Sequence, residues 1–192
     1  MPTISLHDIL PTALVGHSPR LQDADRHAAV AVVAREDALL FIRRAEHPLD
    51  PWSGHMAFPG GMVDPGDADP LAAALRERRE ELGLDLATGG ELLGRLSDVK
   101  PLSLRSSLAI SPFVFAVAGD GPPLAPNEEV QEAVWIPWEL FADSRNRSTF
   151  FWSRNGVPVP MPCYDYEGRI VWGLTLRMVD ELLSLVGRDV DR

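Results

Sequence analysis

The sequence predicts an α/β fold in which helices flank a mixed central sheet, an α+β or α/β/α arrangement rather than a doubly wound parallel sheet. Three observations carry this expectation. Two apolar, β-rich segments, His27–Arg35 and Ala38–Arg44, are separated only by Glu36-Asp37, the spacing of a hairpin. Two segments with helical periodicity, Asp69–Leu82 and Leu174–Val186, lie among the strands. Strands and helices also mix without a regular βαβα alternation, which a parallel sheet would need.

Each element has a local reason. Ser5–Leu14 reads as a short helical arm broken by Pro11. His27–Arg35 is apolar on both faces, as a covered strand should be. Ala45–Met56 reads as loop, with Pro48, Pro51 and Gly54 as breakers, and His55–Gly61 as a short strand ending in a turn. Asp69 can cap a helix and Pro70 suits its first position, while Gly83 supplies a stop. Glu91–Val99, Leu108–Ala118 and Val130–Pro137 read as strands, and Pro137–Ala142 as a short helix. Phe150–Gly173 is turn-rich and reads as a hairpin or long loop; Leu174–Val186 closes the chain as an amphipathic helix. Neither a repeat nor a low-complexity segment is visible.

The bulk composition narrows the function. At 192 residues, 45% hydrophobic and 24% charged, the chain fits one ordinary globular domain. Its net charge of -10 argues against a nucleic-acid polymer, which favours a basic face, but not against a nucleotide held through a divalent cation. The lone Cys163 permits no intrachain disulfide and fits a reducing cytoplasm. The first residues lack a basic start and a long apolar run, so no signal peptide is expected, and no segment is long enough to span a membrane.

The helix over Asp69–Leu82 raises a sharper question. At about 100° per residue, Leu71, Ala74, Leu75 and Leu82 form a core stripe. Glu81 lies about 40° to one side of Glu77 and Glu80 about 60° to the other, beside that stripe. Like charges so spaced repel by a few tenths of a kcal/mol per pair, roughly, on an exposed helix. They form either a solvated face or a site for a hard cation, which prefers oxygen ligands. The Gly60-Gly61 pair just upstream favours the second, because it lets backbone approach a ligand closely and offers a carbonyl oxygen. Arg76 could pair with Asp67 and hold this turn against the helix.

These residues resemble the Nudix box, G-x5-E-x7-R-E-U-x-E-E-x-G-U with U aliphatic. Gly61, Arg76-Glu77, Glu80-Glu81, Gly83 and Leu84 match it. Asp67 stands where Glu is usual, eight residues rather than seven separate it from Arg76, and Arg78 takes an aliphatic position. An arginine there could lay its stem on the core and carry its charge outward. The resemblance implies a Nudix-type α/β/α sandwich with a mixed central sheet. It would span residues 1–192 as one domain, with an N-terminal arm to about residue 26 and a C-terminal helix at about 174–187. It further implies hydrolysis of a nucleoside diphosphate linked to another group. Glu77, Glu80, Glu81 and the Gly61 carbonyl would hold Mg²⁺ or Mn²⁺, and Arg76 would orient them. Glu80, Glu81 or Glu129 could act as the general base. Family members often bring an acid from outside the box, and Glu129 is the candidate here; the competing reading of Glu128 and Glu129 is a charged turn before a strand.

The likeness extends through "LLFIRRAEHPLDPWSGHMAFPGG", "NEEVQEAVWIP" and "IVWGLTLRMVDELL" to the coenzyme A pyrophosphatase branch, which accepts Asp67 and the longer spacing. The branch signature resembles L-L-T-x-R-S-x-x-L-R-x-H-x-G-x-V-x-F-P-G-G. Leu39, Leu40, Arg43, Gly54 and Phe58 to Gly61 fit it, whereas Asp50, Trp52 and Met56 replace Arg, His and Val. Two additional residues also lie between Arg43 and Leu49. The expected substrate contacts are Arg43, Arg44, Trp52, Phe58 and Gly60, with Trp52 either stacking on an adenine or anchoring its loop. Lys100 and Arg105 are either ligands for a 3′-phosphate or solvated charges. His47, His55 and Cys163 read as loop, surface and inert residues, and Trp135, Trp138 and Trp172 as core. Two rivals remain: hydrolysis of ADP-ribose, a dinucleotide or a nucleoside triphosphate, and a Nudix-fold module that binds a nucleotide without cutting it. A purely structural acidic domain would leave the glycine turn unexplained. The apolar faces of the arm and final helix could pack on the core or on a second subunit, as in the homodimers common in the superfamily.

Overall fold

The computed structural model describes residues 5–47, 52–101, 107–121, 123–154 and 156–187. Its centre is a seven-stranded mixed sheet. Strand β1 (Arg26–Ala34) runs parallel to β6 (Leu108–Ala116) along its whole length, and β5 (Glu91–Arg95) pairs antiparallel with β6. On the other side, β2 (Ala38–Arg44) pairs antiparallel with β3 (Met56–Ala57) and β7 (Val130–Pro137). The predicted β1–β2 hairpin exists only at its turn, where Ala34 faces Leu39. Beyond that point the strands part, and β4 (Gly60–Met62) pairs with β1 instead, setting Gly60 opposite Val30.

Strand alternation divides the core into two layers. Ala29, Ala31 and Val33 of β1 and Leu40 and Ile42 of β2 face helix α2 (Pro70–Leu82). Val32, Ala34, Leu39 and Phe41 face the opposite way. There they meet leucines of α1 (Leu6–Val15) and residues of α4 (Trp138–Ala142) and α5 (Gly173–Leu185). The apolar faces of α1 and α5, through Leu6, Leu10, Leu14, Leu176, Val179, Leu182 and Leu183, are thus buried within this chain. A short helix, α3 (Leu86–Gly89), leads into β5.

Three expectations need correction. Pro11 does not break the arm: α1 runs through it, because burial of Leu6, Leu10 and Leu14 outweighs the one helical N–H that proline lacks. Strand β5 stops at Arg95, and Val99 returns only as an isolated bridge to Ile110. Phe150–Gly173 is neither a loop nor one hairpin. After a 3-10 turn at Ser144–Asn146, strands β8 (Arg147–Arg154), β9 (Val157–Tyr166) and β10 (Arg169–Trp172) form a second, three-stranded antiparallel sheet. Pro158, Pro160 and Pro162 share one side of β9 while the β8–β9 ladder continues past all three. That ladder survives because prolines on every second residue can turn their nitrogens away from β8, which also blocks strand addition at this edge.

Helix α2 starts and stops as the sequence predicts. The Asp69 carboxylate accepts from the Ala72 N–H at 2.8 Å, Pro70 opens the first turn, and Gly83, at φ 63°, donates to the Arg79 carbonyl. Its buried residues are Ala73, Ala74, Arg78, Glu81 and Leu82, while Leu71 and Leu75 are only half-buried. Arg78 does not reach outward. It is 1% exposed and donates through Nη2 to the Leu75 carbonyl at 3.1 Å. Burial lowers its pKa to about 10.

Candidate active site

The site forms where the glycine turn meets α2. Gly60 lies so close to β1 that a Cβ there would sit 2.2 Å from the Ala29 carbonyl oxygen, and its φ of 150° favours glycine. Its N–H donates to the Glu81 carboxylate at 2.8 Å. At Gly61 a Cβ would instead fall 2.5 Å from the Glu77 carboxylate. Each glycine thus places backbone directly against one acid of α2.

Arg76 ties the assembly together. It grips Asp67 through two nitrogens at 3.0 Å, donates to the Met62 carbonyl at 3.0 Å, and reaches Glu77 and Glu80 at 3.0 Å each. The fork geometry of a guanidinium suits this bidentate grip on a carboxylate. Asp67, though shorter than glutamate, makes the expected pairing, and its own backbone contact with Asp64 closes the turn. The guanidinium holds the Asp67 carboxyl below the usual carboxylate range.

The three glutamates differ in depth, which the helical wheel did not resolve. Glu80 is 56% exposed, Glu77 17% and Glu81 only 2%. Burial raises the pKa of Glu77, although Arg76 opposes the shift, and Glu80 and Glu129 add to it. Burial pushes Glu81 up to about 8; the Gly60 N–H and Arg44 oppose this, while Glu77 and Glu129 reinforce it. Glu129 therefore acts on both buried acids. Its loop is docked there by Ala125 and Asn127, whose N–H groups donate to the Leu82 and Glu81 carbonyls at 2.8 and 2.9 Å.

Hard oxygen donors under mutual repulsion, beside a turn that a single Cβ would block, are a suitable setting for Mg²⁺ or Mn²⁺. Among the described residues, no three His, Cys, Asp or Glu side chains come together closely enough to hold a metal ion by themselves. The donor set fits an ion that keeps waters and takes ligands from a substrate phosphate.

The predicted substrate contacts separate into two groups. Arg44 shares the α2 face and acts on Glu81, whereas Arg43 lies on the other face and acts on Glu132. Phe58 is buried and stacked on Phe41 with ring centres 4.7 Å apart, so it supports the turn from beneath. Trp52 is partly exposed at 38%. Asp50, Leu49 and Arg105 lie outside the described residues. Lys100 donates to the Asp23 carbonyl at 2.5 Å, which anchors the segment after α1. Cys163 is buried, and Trp138 is core. Trp135 is half-buried, with the Arg35 guanidinium 5.0 Å from its ring centre. Trp172, read as core, instead lines a cavity with Phe150 and Trp152 between the two sheets. The signal for this cavity was the run of aromatics in a segment whose prolines and glycines pointed to loop.

Comparison with known proteins agrees with this geometry. Residues 25–153 match the NUDIX domain family, an interval that spans the glycine turn, α2 and Glu129. Over 180 residues the chain is 34% identical to the uncharacterized Nudix hydrolase NudL of Yersinia pestis (strain Pestoides F), covering 92% of this chain and 87% of that one. The NudL of Yersinia pseudotuberculosis serotype O:1b (strain IP 31758) is similar to the same extent. A MutT/nudix family protein from Enterococcus faecalis aligns over 95% of this chain and 70% of its own, with a TM-score of 0.53 at 16% identity, a likeness of fold alone. The chain belongs to the Nudix hydrolase family, whose members act on pyrophosphate bonds.

Proposed function

We propose that this protein hydrolyses the diphosphate bond of coenzyme A, or of a closely related nucleoside diphosphate derivative, with Mg²⁺ or Mn²⁺ as cofactor. The observation that carries the catalytic part is the packing of Gly61 against the Glu77 carboxylate, with Arg76 spanning Asp67, Glu77 and Glu80. A bound divalent cation would neutralise diphosphate charge and lower the pKa of a bound water. Glu77, Glu80, Glu81 and the Gly61 carbonyl are the donors for it, with Glu129 at hand from the facing loop. Arg76 fixes the carboxylates before substrate arrives, so little reorganisation is left for the reaction. One acid of the set, Glu80, Glu81 or Glu129, accepts the proton of the attacking water. Arg44, on the same face, would meet a substrate phosphate.

The coenzyme A assignment rests on the likeness along the chain to that branch. Asp50 and Trp52, in place of the branch's Arg and His, favour a second reading with ADP-ribose, a dinucleotide or a nucleoside triphosphate as substrate. Purified protein with Mg²⁺ or Mn²⁺ would be offered all of these, with products separated by chromatography and Glu80→Gln run alongside. The expected products are 4′-phosphopantetheine and adenosine 3′,5′-bisphosphate from coenzyme A, with the variant silent. Cleavage of another substrate with coenzyme A untouched would move the assignment to the second reading. Nucleotide binding without any turnover would leave a binding module.

A further inference from the structure

The two long strands of the second sheet have differently built outer edges. On the outer edge of β9, Pro158, Pro160 and Pro162 present no N–H to a further strand. Because their nitrogens turn away from β8, the hydrogen-bonded pairs of the β8–β9 ladder are the alternate ones: Ser148 with Cys163, Phe150 with Met161 and Trp152 with Val159. The backbone groups of Thr149, Phe151 and Ser153 consequently point to the far edge of β8. Among the described residues, no strand pairs there. Strand β5, at one end of the central sheet, is interrupted by a bulge between Leu92 and Gly94. Prolines and bulges are common guards of a sheet edge, and β8 has neither.

The side chains of β8 leave it equally open. From Ser148 to Ser153 the strand carries no charge, in a chain of net charge -10. Thr149, Phe151 and Ser153 share one face with Pro162, Pro160 and Pro158, and all six are exposed. Phe151 is 70% exposed. The opposite face holds Phe150 and Trp152, half-buried against Trp172. About Phe151 the strand is nearly symmetric, with an aromatic residue on each side and then a hydroxyl on each side. A twofold axis at Phe151 sets this residue against its own copy, Thr149 against Ser153 and Phe150 against Trp152. Every pair is then matched, aromatic with aromatic and hydroxyl with hydroxyl. An axis at Phe150 would instead oppose Thr149 to Phe151 and Ser148 to Trp152.

We propose that the open edge of β8 is an interface between two copies of this chain, which pair antiparallel about Phe151 and join their three-stranded sheets into one of six strands. The apolar faces of α1 and α5 are buried within the chain and do not supply this surface. The pairing uses the open edge of both copies, so it closes at two and does not grow into a fibre. With eight residues, β8 is about 27 Å long, and a sheet with its side chains is about 10 Å thick. A contact of that size buries several hundred Å² per protomer, less than the roughly 800 Å² of a standard interface. The dimer is therefore reversible and forms as concentration rises.

The test is sedimentation equilibrium of the full chain over a concentration series. The parent should shift from one chain to two and no further. Phe151→Lys sets like charges opposite each other across the axis and should raise the dissociation constant by about tenfold or more. Its thermal unfolding, compared where both proteins are monomeric, should match the parent, and Phe151→Tyr should keep the parent's dissociation constant. Cross-linking reads the register. The Cα atoms of a hydrogen-bonded antiparallel pair lie about 5.5 Å apart, within disulfide reach, so Phe151→Cys should oxidise to a covalent dimer. Ser153→Cys should not, because it faces Thr149 and the two copies of position 153 lie about 14 Å apart along the strands. Cys163 is buried and does not compete. The interface is overturned if the parent stays monomeric at its highest soluble concentration, even where an added extended peptide binds β8. It is overturned equally if Phe151→Lys associates like the parent, or if Phe151→Cys and Ser153→Cys cross-link to the same extent.

Discussion

The two faces of the central sheet bury opposite chemistries. On the face covered by α1, α4 and α5, the interior is built from leucine, valine, phenylalanine and methionine. On the α2 face, the same strands supply alanine, valine and isoleucine, yet the helix brings Arg78 and Glu81 inside. The first face needs only apolar burial to be stable. The second buries charges that burial alone would exclude, and both pKa shifts run toward the neutral form. Such a cost is common where a fold holds a site rather than merely a core. Arg78 and Glu81 nevertheless differ. Glu81 touches the glycine turn, whereas Arg78 finds its hydrogen bond within its own helix at Leu75.

Substitutions at the site should have the largest effect. Glu77→Gln should lower metal-dependent turnover by about 10²–10³-fold while leaving the fold intact, measured by kcat alongside thermal unfolding. Gly61→Ala should do similar damage at little cost in stability, because its Cβ meets the movable end of the Glu77 side chain. Gly60→Ala should behave differently. Its Cβ would meet backbone atoms of Ala29 and Val30 at an unfavourable φ, so denaturant unfolding should show a loss of about 3–5 kcal/mol. If the two adjacent glycine variants lose activity and stability in the same proportion, their separate roles are wrong.

A smaller effect tests the buried arginine. Arg78→Met should raise stability by about 1–3 kcal/mol, since a buried charge that donates to a carbonyl of its own helix, and whose pKa burial lowers despite Asp85, is exchanged for an apolar chain of similar length. A loss of that size would instead show that the field of Asp85 offsets the burial of the Arg78 charge. The smallest expected effect is the pH dependence of Glu81. Its pKa in the fold is about 8, against 4.5 for the ordinary carboxyl of the unfolded chain, so the metal-free folded state binds more protons between these values. Its contribution therefore makes stability fall as pH rises from about 4.5 to 8. Glu81→Gln should flatten that slope in EDTA, stabilising the protein more at pH above 8 than at pH near 5. An unchanged slope would show that Glu81 ionises freely in the fold.

Much of this site was legible before the structure. Asp69-Pro70 and Gly83 carry local chemistry that fixes the ends of α2 whatever surrounds them. The pairing of Asp67 with Arg76 follows from a turn that must fold back on the helix. Depth was not legible. The helical wheel gives the direction of Glu81 but not its cover, which comes from Gly60 and from the distant loop around Asn127. Arg78 was expected to reach solvent, and only the packing around α2 decides that it does not. The second sheet was hidden for another reason: prolines signal loops, and their regular spacing on β9 leaves one ladder intact. Trp172 illustrates the same limit, since composition cannot tell a core tryptophan from one that lines a cavity.

The most direct test of the central claim is a titration of Mn²⁺ into the metal-free protein, followed by electron paramagnetic resonance, for the parent, Glu77→Gln and Gly61→Ala. The parent should bind Mn²⁺, both variants should bind it at least tenfold more weakly, and hydrolysis should appear only as the parent fills. Equal Mn²⁺ affinity in all three proteins, or undiminished hydrolysis in EDTA, would contradict the assignment of the glycine turn and the α2 carboxylates as the metal-dependent centre.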